Sequence, residues 1–154
     1  MTQDDPSDRF LNERFRLVTD TPERSYLLDE SGKILAASWK IGKAEVYNME
    51  RFQYNAIVLA DLVKSRKPEY ILIDCRYMEF ELSYQDHIWY VDQTREQWKK
   101  ATIKKLALVF KDNLAVQMSM EGLSEVVREE GVASYEYRIF ESNIEAVSWL
   151  KGTK

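Results

Sequence analysis

Tyr70-Ile71-Leu72-Ile73-Asp74 and Lys105-Leu106-Ala107-Leu108-Val109-Phe110 decide how this chain folds. Each is a nearly unbroken apolar run. A strand with one wet face alternates apolar and polar residues, whereas a strand covered on both faces has no need to, so both runs are expected to be central strands. Between them Ser83 stands three residues before Asp86, the spacing of a capping box, and Tyr84, Ile88, Val91, Thr94 and Trp98 recur at helical spacing to about Lys100. Strand, helix and strand in that order make a parallel crossover, which is right-handed and lays its helix on one face of the sheet.

Working outward, Phe52, Ala56, Leu59, Ala60 and Val63 form the inner stripe of a first helix over 44–66, which Pro68 stops. Upstream, residues 25–29 and 33–39 are two short apolar runs around Glu30-Ser31-Gly32, a hairpin in which Gly32 can take positive φ. Downstream, Asp112 and Asn113 can cap a third helix with Val116, Met120, Leu123, Val126 and Val127 inward, ended by Gly131. Residues 135–140 alternate as a strand near a sheet edge should. Ser142 and Glu145 then open a last helix with Ile144, Val147 and Leu150 inward. The order β-β-α-β-α-β-α-β-α predicts an α/β fold with a central mixed sheet and helices mainly on one face. Residues 1–23, too polar for a core element and too apolar for a tail, are expected to be an N-terminal arm, docked or partly disordered, and 24–154 one domain.

The chain has 154 residues, 22 Lys+Arg against 26 Asp+Glu, and 45% hydrophobic residues. That suits one core, and a chain of this size buries roughly 68–70% of its unfolded surface without help from disulfides or metal. One cysteine excludes an internal disulfide, and one histidine with no paired Cys/His spacing leaves no metal site to expect. No cofactor motif is present: there is no phosphate-cradling glycine loop and no nucleophile elbow. The acidic MTQDDPSDRF lacks the apolar run of a secretion signal, and no stretch approaches ~18 apolar residues, so a cytoplasmic protein without an integral membrane segment is expected. The net charge of -4 gives no general attraction to nucleic acid.

The two strands, a helix, Leu72-Ile73-Asp74, a loop and a capped helix, then Leu106–Phe110, and the closing Arg138-Ile139-Phe140 with Ala146, Trp149 and Leu150, together resemble the SpoIIAA-like family of small bacterial proteins in the STAS superfamily. The resemblance spans roughly residues 24–151 and implies a STAS-like fold. In anti-sigma-factor antagonists of that superfamily, a serine in the turn after the central strand is phosphorylated and switches partner binding. Asp74-Cys75-Arg76-Tyr77 stands there in this chain, so the switch serine is missing. What remains is a recognition loop at the C-terminal end of a central strand, where α/β sheets commonly bind.

Candidate residues follow from that loop. Arg76 and Glu79 are expected to pair charges with a protein partner and Tyr77 to anchor it, with Ser83 at the next helix N-terminus as cap or phosphorylation site. On the second helix Trp89 projects about 160° from the Val91 direction at 100° per residue, so it and neighbouring Tyr90 are expected to face outward as interface anchors. By the same arithmetic Tyr47, Tyr54 and Val58 on the first helix form a second outward group suited to self-association as a homodimer. Cys75 is a redox candidate if Arg76 favours its thiolate, and a buried small hydrophobe otherwise. No complete catalytic constellation is present. The expectation is therefore a non-enzymatic regulatory module binding a protein through the 75–83 loop and the second helix. A carrier of a lipid or small apolar ligand, or a sensor or enzyme dependent on Cys75, are the alternatives.

Overall fold

The structure is a computed structural model that describes residues 5–40 and 48–152. Eleven elements run in the order α1 (Pro6–Arg14), β1 (Phe15–Asp20), β2 (Arg24–Asp29), β3 (Ile34–Trp39), α2 (Met49–Arg66), β4 (Tyr70–Asp74), α3 (Tyr84–Lys99), β5 (Lys105–Val109), α4 (Leu114–Glu129), β6 (Glu136–Phe140) and α5 (Asn143–Lys151). All six strands join one sheet in sequence order, β1 to β6. The first three pair antiparallel and the last four parallel, so the sheet is mixed. The β2–β3 turn is closed by Gly32 at φ 75°, a conformation that glycine adopts without strain.

The two apolar runs occupy the middle of this sheet, and alternate residues serve different cores. Ile71, Ile73, Leu106 and Leu108 pack under α2, α3 and α4, while Leu72, Ala107 and Val109 pack under α1 and α5. Three of the five helices thus share one face. Each helix carries its own start signal: Asn48 accepts from the Arg51 amide, Ser83 and Asp86 form a reciprocal capping box, Asn113 accepts from the Val116 amide, and Ser142 accepts from the Ile144 and Glu145 amides. Among the described residues no helix is long and apolar enough to cross a membrane.

Several side chains differ from the sequence reading. The described part of the N-terminal segment is a helix and a sheet strand: α1 follows an Asp5 cap and a Pro at the first turn, and β1 pairs along β2, with a register shift between Leu17 and Thr19. Tyr90 is buried rather than outward, and Trp89 is half-buried against the core. The reason is that α3 lies between α2 and α4, so its buried stripe (His87, Tyr90, Val91, Thr94, Trp98) is wider than a helix with one neighbour requires. Tyr84, placed on the inner stripe by its spacing, is 67% exposed. In α5, Asn143 and Ala146 take inward positions and Ile144 is exposed. The residues 44–47 assigned to the first helix, Tyr47 among them, lie outside the described residues, as do 1–4 and 153–154.

Candidate functional site

The end of β4 is where the sequence placed its recognition loop, and the structure turns that loop inward. Asp74 is fully buried and accepts from Arg76 through both carboxylate oxygens, Nε at 2.9 Å to Oδ1 and Nη2 at 2.7 Å to Oδ2, and from the Arg76 amide at 3.1 Å. The Asn143 Nδ2 donates to Asp74 Oδ2 at 2.9 Å and the Ser38 hydroxyl at 3.3 Å. Adjacent parallel strands and the start of α5 therefore converge on one carboxylate.

The other edge of the Arg76 guanidinium faces α1. Its Nη1 donates to Asp5 Oδ1 at 2.9 Å, its Nη2 to Asp8 Oδ1, and the Tyr77 hydroxyl donates to Asp8 Oδ2 at 2.9 Å. The Asn143 amide donates to the Ser7 hydroxyl at 3.1 Å and its Nδ2 to the Ser7 carbonyl at 3.3 Å. Burial works to raise the Asp5 carboxyl, but amide donors from Ser7 and Asp8 and the charge of Arg76 outweigh it and hold the group below its ordinary value. Burial likewise works to lower Arg76, yet its hydrogen bonds and the charges of Asp74 and Asp8 raise it, so it stays a cation throughout.

These contacts correct the role expected of Arg76. Its side chain is 3% exposed and its charge is satisfied within the chain, so it offers no open charge to a partner. Tyr77 is half-buried over the same ion pairs, its ring 4.9 Å from the Arg76 guanidinium. Met78 and Leu82 are in the core. Of the loop residues singled out, only Glu79 and Ser83 are exposed. The Ser83 hydroxyl donates to Asp86 Oδ2 at 2.9 Å, and its oxygen accepts from the Asp86 amide at 3.2 Å.

Cys75 is buried among core side chains, and burial pushes its thiol far up, against a lesser opposing pull from the charge of Arg24. A thiol held protonated is a poor nucleophile and a poor redox sensor. His87 turns away to α4, with Nε2 2.9 Å from the Ser119 carbonyl; that oxygen accepts only, so Nε2 carries the proton. Among the described residues no group of His, Cys, Asp and Glu is arranged to hold a metal ion. The void between the sheet and helices α3 and α4, lined by residues such as Ile73, Trp98 and Leu123, is about 20 Å³, against the ~300 Å³ or more of a usual ligand pocket.

On α2, Tyr54 is 50% exposed under the Arg51 guanidinium, whereas Val58 packs partly into the core. The larger exposed apolar group lies elsewhere, at the N-terminal turns of α3 and α4, which the His87–Ser119 contact ties together. Tyr84 is 67% exposed, Leu114 67% and Met118 63%. The sequence reading missed Leu114 and Met118, although both fall off the inner stripe of that helix; the helical period alone would have found them. It also missed Asp5, Ser7, Asp8 and Asn143. The first three lie in the acidic run Asp4-Asp5-Pro6-Ser7-Asp8, which does not say what it meets, and Asn143 stands 135 positions beyond Asp8.

No family model matches the chain, and no curated protein matches it. A solved structure of enoyl-CoA hydratase from Geobacillus kaustophilus is similar at a TM-score of 0.39 and 8% identity, covering 87% of this chain and 74% of that one. That neighbour is an enzyme, in contrast to the non-enzymatic module expected from the sequence. At that score and identity the likeness carries no activity and no residue role across.

Proposed function

We propose that this chain is a SpoIIAA-like protein-binding module whose contact surface is the rim made by Glu79, Ser83 and Tyr84 with Leu114 and Met118. The single observation that carries the reading is the exposure of Tyr84, Leu114 and Met118, 67%, 67% and 63%, on neighbouring helix ends beside the C-terminal edge of the parallel strands. Scattered exposed apolar residues need no explanation, but a group of three large ones on one rim is the usual mark of an interaction surface. The SpoIIAA-like assignment is supported by the order β2-β3-α2-β4-α3-β5-α4-β6-α5 within a mixed sheet. Relative to the sequence reading, the surface moves from Trp89 and Tyr90 to the helix N-termini, and Arg76 leaves it.

The test is a photo-cross-linking amino acid placed at Tyr84 in the native cell, with and without Met118→Glu. One discrete adduct, identified by mass spectrometry and lost on Met118→Glu, is the expected result. No adduct above background, or adducts indifferent to Met118→Glu, overturns the proposal.

A further inference from the structure

Every contact described above between residues 5–8 and the body of the protein runs in one direction. The body donates: Arg76 Nη1 and Nη2, the Tyr77 hydroxyl, and the Asn143 amide and Nδ2. The arm accepts, through the carboxylates of Asp5 and Asp8 and the two oxygens of Ser7. The inner edge of the guanidinium is already occupied by Asp74, so its outward donors are held in place before anything binds them. The Asn143 amide opens α5, whose dipole adds to the preference for negative charge, while the next two amides are held by the Ser142 cap.

The geometry points to a second binding site here, formed by Arg76, Tyr77 and Asn143, that takes a carboxylate-bearing peptide segment and is occupied by the chain's own residues 5–8 as a built-in competitor. The groups this site turns toward the arm are donors, and the Arg76 side chain among them is only 3% exposed, so the site selects carboxylates over segments that would leave those donors unpaired. The arm is bound in part by a separate apolar anchor, Leu11 and Phe15 in the core shared with α5, so its acidic tip can be exchanged while its stem stays docked. An acidic segment of another protein must outcompete a tethered one, whose effective concentration reaches the millimolar range for short links. The site is thus closed to weak ligands and open to strong or clustered acidic ones. This inference does not depend on the apolar rim of Tyr84 and Met118.

The test uses the full chain and a fluorescent peptide with the chain's own residues 1–10. In one variant Asp5→Asn keeps the helix cap while Asp8→Lys sets a like charge against Arg76. Fluorescence anisotropy should show the peptide binding this variant at least ~10-fold more tightly than wild type, as removal of a tethered competitor requires, and binding should weaken between low and high salt. Adding Tyr77→Phe, which deletes one donor and no charge, should lower affinity several-fold, and Arg76→Gln should abolish binding. Absence of peptide binding to the arm variant overturns the inference, whether amide exchange shows residues 6–14 released or still protected. Binding that is indifferent to Tyr77→Phe overturns it too, even if Arg76→Gln fails to fold.

Discussion

The imidazole of His87 lies against the backbone of Gly122, where a Cβ would fall 2.9 Å from the ring Cε1. Gly122 sits inside α4, a position at which glycine normally costs about 1 kcal/mol relative to alanine. The missing side chain is what lets α3 and α4 close on a buried histidine. Gly122→Ala is therefore expected to destabilise the protein by about 1–2 kcal/mol through overpacking, reversing the usual helix gain. In a His87→Ala background the same change should stabilise by up to about 1 kcal/mol, and a double-mutant cycle by urea denaturation measures the coupling.

The same histidine makes stability depend on pH. Burial lowers its pKa from the ordinary 6.5, with the Ser119 carbonyl and Asp86 opposing. An unfolded histidine takes up its proton near pH 6.5 and the folded one only at lower pH. Stability is thus full above 6.5 and is lost as pH falls from there through the folded value. His87→Gln should flatten the stability profile just below pH 6.5, and an NMR titration of the ring should place its pKa under 6.5 in the wild type.

Removing Arg76 should be among the most damaging single changes. Arg76→Met leaves the fully buried Asp74 without its counter-charge, and the expected loss is about 3–5 kcal/mol in chemical denaturation. Asp8→Asn removes a carboxylate that is itself partly exposed, and about 1 kcal/mol is expected. Equal losses from the two would place the stability in the arm rather than at Asp74.

Trp89 and Tyr84 should separate core from surface. Trp89→Ala removes a ring packed on the core and should lower Tm by several degrees, as a loss of about 1–2 kcal/mol does in a domain of this size. Tyr84→Ala, at an exposed position on the rim, should leave Tm within a degree or two. A Tm loss for Tyr84→Ala as large as that for Trp89→Ala contradicts the exposure assigned to it.

Cys75 should be silent in the native state. With its thiol buried and held protonated, its alkylation by iodoacetamide should proceed no faster than local or global unfolding exposes it, and should accelerate sharply in urea. Rapid labelling without denaturant would restore Cys75 as a reactive group.

Local signals were enough to place most elements. Ser83 and Asp86 marked the start of α3, Asn113 that of α4 and Ser142 that of α5, because a cap involves residues within three or four positions of one another. The unbroken runs at 70–74 and 105–110 foretold strands covered on both faces, since the composition of a strand records whether each side meets water. Tyr90 and Trp89 were misplaced because helical periodicity gives the direction of a side chain but not how many neighbours the helix has. The site was less legible still. Arg76 reads as a free charge beside a strand end until Asp5 and Asp8, 71 and 68 positions away, are brought against it.

What the amino-acid order determined alone is therefore the succession of strands and helices and the faces of the central strands, all of them outcomes of short-range periodicity and capping. Tertiary structure decided the rest. It carried the N-terminal segment into the sheet and onto the end of β4, sealed Arg76 and Cys75, and left Tyr84, Leu114 and Met118 on the rim. Burial and ion pairing between distant positions depend on the arrangement of the whole sheet, and no local pattern in the chain encodes which charge will find which.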